Sequence, residues 1–96
     1  MEQIRPFDVV EYLEDPKTAA AYLAVVFEEG DVDEIRSAVN DVARAHGVAD
    51  LARETGLSRE AIYKAFGSSG NPTLTTLLAV FKALGLKLSV AGAAAA

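Results

Sequence analysis

Between residues 16 and 84 the apolar side chains recur at three- and four-residue intervals, the spacing of helices that each bury one face. Ala20, Leu23 and Phe27, with Tyr22 and Val26 beside them, make the first broad stripe. Asp15-Pro16 supplies its start, because an aspartate accepts from an unpaired N–H at a helix N-terminus and a proline is tolerated in the first turn. Gly30 stops it, so the pattern predicts a helix over 16–29. Asp31-Val-Asp-Glu34 has the form of a capping box and opens a second helix to about Ala45, with Ile35, Ala38, Val39 and Val42 as its stripe. Gly47 interrupts it, and His46 is placed as a partner of the helix C-terminal dipole. A last strong helix is predicted from Thr73 to Leu84, with Leu74, Leu77, Leu78, Phe81 and Leu84 assigned to the core and Gly85 as its stop. Upstream, Asp8 is expected to cap a short helix through Leu13. Downstream, Leu86-Lys-Leu-Ser-Val90 alternates with the period of a strand. That strand has no evident mate in the chain, so it is expected to pair with another copy or another protein, with Leu86, Leu88 and Val90 forming a dimer strand. The reading is an all-α fold of five to six helices with a short C-terminal β-strand, one domain over 1–90 and a flexible tail over 91–96.

The densest signal lies in Val48-Ala-Asp-Leu-Ala-Arg-Glu-Thr-Gly-Leu-Ser-Arg-Glu-Ala-Ile-Tyr-Lys-Ala-Phe66, which reads as helix, three-residue turn and helix. Ala52 is small enough for two helices to cross closely. Gly56 falls where the turn needs a positive φ, and Ser58 caps the second helix. Leu51, Leu57, Ile62, Ala65 and Phe66 supply the inward contacts, which leaves Arg59, Glu60, Tyr63 and Lys64 outward, as on a helix that enters a major groove. Arg59 suits guanine O6 and N7, Glu60 suits the cytosine amino group, and Lys64 suits guanine or a phosphate. The polar loop Gly67-Ser-Ser-Gly-Asn-Pro72 excludes a continued helix. It is either a solvated connector or, with Thr73, a source of N–H groups and small hydroxyls for an anionic backbone. Arg53, Ser58, Ser68, Ser69, Asn71 and Thr73 are the candidate backbone contacts.

A net charge of −5 argues against a DNA partner only until the chain is divided. Residues 1–46 hold eleven acids against four bases, a balance of −7, whereas residues 47–96 hold five bases against three acids, a balance of +2. Exposed charges are screened beyond about 8 Å at physiological salt, so DNA feels the local face and a second, basic partner would be steered to the acidic half. Glu11, Glu14, Glu28, Glu29, Asp31 and Asp33 are the candidates for that contact. Hydrophobic residues make up 51% of the chain, but alanine dominates and tryptophan is absent, which favours closely packed short helices over a roomy pocket. There is no cysteine and one histidine, so neither a disulfide, a metal site, a cofactor nor catalysis is expected. The longest apolar run, Ala19 to Phe27, is about half of the roughly 20 residues that cross a bilayer, and the N-terminus lacks a secretion pattern; a cytoplasmic protein is expected.

From Arg5 to Val90 the chain resembles the addiction-module antidote proteins, small antitoxins with a Cro/C1-type helix-turn-helix that are similar to the HigA group. The marks are Arg5-Pro-Phe-Asp8, Glu11-Tyr-Leu13, Ala21-Tyr-Leu23, Glu29-Gly-Asp31 and Asp41-Val-Ala-Arg44 before Gly47. More telling are Leu51-Ala-Arg-Glu-Thr-Gly-Leu-Ser-Arg59, Tyr63-Lys-Ala65, Gly70-Asn-Pro72 and Ala83-Leu-Gly-Leu-Lys-Leu88. The resemblance implies a lambda-repressor-like fold and an antitoxin that sequesters a small basic toxin of the RelE/ParE type. It also implies repression of its own operon, with Arg59, Glu60 and Lys64 at the base-reading positions. A homodimer on an inverted repeat of operator DNA is expected. The alternative is a free-standing repressor without a toxin.

Overall fold

A computed structural model describes residues 12–94, and these form five helices: α1 (Pro16–Glu29), α2 (Val32–His46), α3 (Val48–Thr55), α4 (Arg59–Phe66) and α5 (Leu74–Ala83). The starts follow from local chemistry. Asp15 accepts from Thr18 N at 3.0 Å, Asp31 from Glu34 N at 2.9 Å, Ser58 from Ala61 N at 2.9 Å and Thr73 from Thr76 N at 3.1 Å. Each bond satisfies one N–H that the first helical turn leaves without an intrahelical partner. The predicted helix beginning at Asp8 falls largely outside the described residues, although Leu13 is buried in the core.

Helix α1 packs on α2, α2 reaches α3 and α4, and α3 sits between α4 and α5. One core joins them: Leu13, Ala19 and Leu23, then Ala38, Val39, Val42, Ala43 and Ala45, then Leu51, Ile62, Phe66, Val80, Phe81 and Leu84. Four of these are alanines, and their size lets helix axes approach closely. Phe27 and Phe81 meet edge to face with ring centroids 6.2 Å apart, tying α1 to α5. The Tyr22 hydroxyl donates to Asp41 Oδ2 at 2.9 Å across the α1–α2 pair. Burial, and then the neighbouring Asp41 carboxylate, push that phenol up to about 12. His46 closes α2, and its Nε2 lies 2.9 Å from Glu54 Oε1, so it meets α3 as well as the end of its own helix.

Two core assignments from periodicity are corrected. On α1 the buried alanine is Ala19, and Ala20 is exposed. On α5 the inward stripe is Leu77, Val80, Phe81 and Leu84, whereas Leu74 and Leu78 are 68% and 46% exposed. They sit about one residue's rotation to the side of that stripe, and α5 has only α3 among the helices as an extensive neighbour. Residues 86–90 form no strand, since no second strand exists among the described residues to complete a ladder. Their alternation is nonetheless real in burial. Leu86 and Leu88 turn inward beside Leu23, Phe27 and Phe81, Lys87 and Ser89 turn outward, and Val90 is fully exposed.

Candidate nucleic-acid interface

Helices α3 and α4 cross over two fully buried side chains, Leu51 and Ile62. Gly56 takes φ +79° in the turn between them, the left-handed conformation anticipated for it, and its N–H donates to Ala52 O at 2.9 Å. Thr55, which sequence reasoning passed over, completes the turn. Its hydroxyl donates to Leu51 O at 2.7 Å and accepts from Leu57 N at 3.2 Å. With Ile62 and Phe66 facing the core, the 100° step per residue carries Glu60 and Lys64 to the opposite side and Tyr63 to the flank, while Arg59 is exposed as the first residue of α4. All four are exposed, Tyr63 at 55%. Among the described residues neither Arg59 nor Lys64 has an ion-pair partner.

The loop after α4 extends this face. Lys64 lines an open groove with Ser69, Asn71, Thr73 and Thr76, so one cation, three hydroxyls, an amide and the start of α5 converge. Gly70 makes this possible. A Cβ there would collide with the Ala65 and Lys64 carbonyls, and only a glycine lets the loop lie against the end of α4. The remaining candidates are placed differently. Ser68 opens toward Asp33, Arg36 and Asn40 on the other side of the loop. Arg53 is exposed but held by Asp50 at 2.7 Å. Ser58 caps α4 as Thr73 caps α5, but it lies outside this groove.

The acidic candidates divide into two groups. Glu28, Glu29, Asp31 and Asp33 gather at the α1–α2 corner, all exposed. Glu14 precedes α1, about 20 Å away along a helix rising 1.5 Å per residue, and Glu11 lies outside the described residues. Glu28 and Glu29 occupy the last turn of α1, where the helix dipole disfavours negative charge. Asp31 caps α2, and Asp33 pairs with Arg36 at 2.8 Å. Among the described residues no cluster of side chains is arranged to hold a metal ion, and no helix is long and apolar enough to cross a membrane.

Arg36 is the second residue that the sequence reading missed. Its guanidinium reaches the loop from α2 and donates to Ser68 O at 2.6 Å and Gly70 O at 3.1 Å. In sequence it resembled an ordinary surface arginine, because nothing local signals a partner more than thirty residues away.

No solved structure matches the chain significantly. A curated relative, an uncharacterized protein of Haemophilus influenzae, is 42% identical over 89 residues, which cover 93% of this chain and 92% of the relative. The family profile described as "Probable addiction module antidote protein" matches residues 3–92, nearly the whole chain. With the sequence marks and the helical architecture already in place, that match identifies the chain as a member of the addiction-module antidote family.

Proposed function

We propose that this chain is the antitoxin of a type II toxin-antitoxin module, a single domain over 1–90 that neutralises a small basic toxin of the RelE/ParE type by direct binding and represses its own operon. The family supplies the antidote role and hence a toxin of some kind. The DNA half rests on one observation: the outer face of α4 carries two exposed cations with no acidic partner among the described residues, beside the groove of Ser69, Asn71 and Thr73. Arg59, Glu60, Tyr63 and Lys64 read base edges in this proposal. Ser69, Asn71 and Thr73 contact the backbone, and Arg53 joins them by exchanging Asp50 for a phosphate, since exposed ion pairs contribute only about 0–1 kcal/mol.

So few phosphate contacts per monomer call for two copies on two half-sites about 34 Å apart. Residues 86–90, without a ladder partner among the described residues, are the candidate strand for pairing, with Val90 its most exposed side chain. The α1–α2 corner is the candidate toxin contact, where the charge of Glu28, Glu29, Asp31 and Asp33 complements a basic partner.

Titration of the full chain against a fragment of its own promoter tests the DNA reading. Preference over unrelated DNA at matched salt, with a footprint over two half-sites, is the expected result. Equal affinity for both fragments overturns it. Co-expression with the protein encoded by the adjacent reading frame tests the antidote role, with growth restored as the expected result.

A further inference from the structure

We propose that Arg36 is a positioning residue: from α2 it fixes the loop over 67–72 that borders the α4 face, and it makes the order of that loop depend on Asp33 at the acidic corner. The inference rests on the DNA reading above only for its consequence on binding; its effect on the loop stands apart from it.

The Arg36 side chain is 13% exposed, unusual for arginine on a small helical surface, and three acceptors surround it. One nitrogen, Nη2, donates to both Ser68 O and Asp33 Oδ1, and Nη1 donates to Gly70 O. The two carbonyls belong to one loop, so a planar fork with fixed nitrogen positions sets their separation, which an ammonium does less well. Apolar packing also meets the loop, where Asn71 and Pro72 line a groove with Ile35, Val39, Phe66 and Leu77. The loop's internal bond runs from Gly70 N to Gly67 O at 2.9 Å, and on the far side Gly70 rests against the α4 carbonyls. One residue further along, Asn71 enters the groove with Lys64, so displacement at Gly70 moves the groove wall.

Asp33 supplies the other half of the inference. Its side chain is 82% exposed, so it is available to a cation from outside, yet it also balances the charge of the largely buried guanidinium. A basic side chain that pairs with Asp33 withdraws one of three acceptors from Arg36 and alters its grip on the loop. The acidic corner and the α4 face, distinct surfaces of the fold, are then coupled, and the coupling is reciprocal in binding free energy.

Amide hydrogen exchange of the full chain without DNA reads the loop at Gly70, whose N–H is bonded within it. Replacement of Arg36 by methionine keeps the apolar stem and removes the donors. Arg36→Met is expected to speed Gly70 exchange by about tenfold or more while the Leu51 and Ile62 amides keep their protection. Arg36→Lys is expected to recover part of the loss. Asp33→Asn, which alters an exposed carboxylate and leaves the core alone, is expected to speed Gly70 exchange by about threefold. Unchanged Gly70 exchange in Asp33→Asn overturns the dependence on Asp33, and unchanged exchange in both Arg36→Met and Asp33→Asn overturns the proposal whole. Should Arg36→Met not fold, Asp33→Asn and Arg36→Lys carry the test, and wild-type Gly70 exchange in both overturns it.

Promoter affinity is the second readout, expected to fall about tenfold in Arg36→Met. Equal affinity for Arg36→Met and wild type, with Gly70 exchanging faster, overturns the positioning role in binding. Faster exchange in a protein whose wild type shows no promoter preference removes the DNA reading and upholds the grip on the loop.

Discussion

Among the described residues Glu28 and Glu29 at the α1–α2 corner have no cation within ion-pair distance, while on α4 it is the cations, Arg59 and Lys64, that lack an acid. Three aspartate–arginine pairs on α2 and α3 are local, one of them at the corner itself. Asp33 holds Arg36, Asp41 holds Arg44 and Asp50 holds Arg53, each aspartate three residues before its arginine on the same helix. Such pairs contribute little to stability when exposed, so unpaired charge at the two ends is not a large defect of folding. What the contrast teaches concerns partners. Charge left uncompensated in opposite senses on two surfaces suits two ligands of opposite sign, a basic protein and a nucleic acid.

The strongest way to break the comparison is to remove what separates the two surfaces. Leu51 is fully buried where α3 crosses α4, and Leu51→Ala is expected to destabilise the fold by about 2–5 kcal/mol in urea denaturation. Promoter binding should then weaken through loss of folded protein. Next come the charges themselves. Arg59→Ala and Lys64→Ala are each expected to weaken promoter binding by about 1–3 kcal/mol, with Tm little changed because both side chains are exposed. Reversal of Glu28, Glu29, Asp31 and Asp33 to lysine should abolish toxin neutralisation in a growth assay while promoter binding persists. If reversal at the corner leaves neutralisation intact, the toxin contact lies elsewhere.

Smaller effects sharpen the picture. Ser58→Ala removes the cap at the start of α4 and is expected to cost about 1 kcal/mol, read in thermal unfolding. A further effect is confined to alkaline solution. Tyr22 is held up to about 12 against an ordinary value of 10.0, so the folded chain keeps a proton that the unfolded chain releases. Its contribution is fully present below pH 10 and lost as pH rises through about 12. In Tyr22→Phe that part of the alkaline decline should vanish, as pH-dependent denaturation checks.

Much of this was legible before any coordinates. The bounds of α1 and the start of α2 follow from Asp15-Pro16, Gly30 and Asp31, because caps and stops act through the nearest few residues. The turn at Gly56 and the exposure of Glu60, Tyr63 and Lys64 were equally readable from period and turn chemistry, and that of Arg59 from its place just after the Ser58 cap. The errors have a different origin. Leu74 and Leu78 fit a helical period but face solvent, because periodicity names a stripe without saying how wide a stripe the neighbours cover. Leu86 and Leu88 alternate as read, and what the pattern did not name is the core of their own chain that they pack against.

The sequence by itself determined where helices begin and end, which side of α4 faces outward, and that the two halves differ in sign, since each depends on residues within a turn or two of one another or on a simple count. Only the tertiary structure decided that Lys64 shares a groove with Ser69, Asn71 and Thr73, that Ser68 faces away from it, and that Arg36 grips the loop from another helix. Those contacts join residues up to 34 positions apart, and their geometry is fixed by how α2, α4 and the loop pack, which no local pattern encodes.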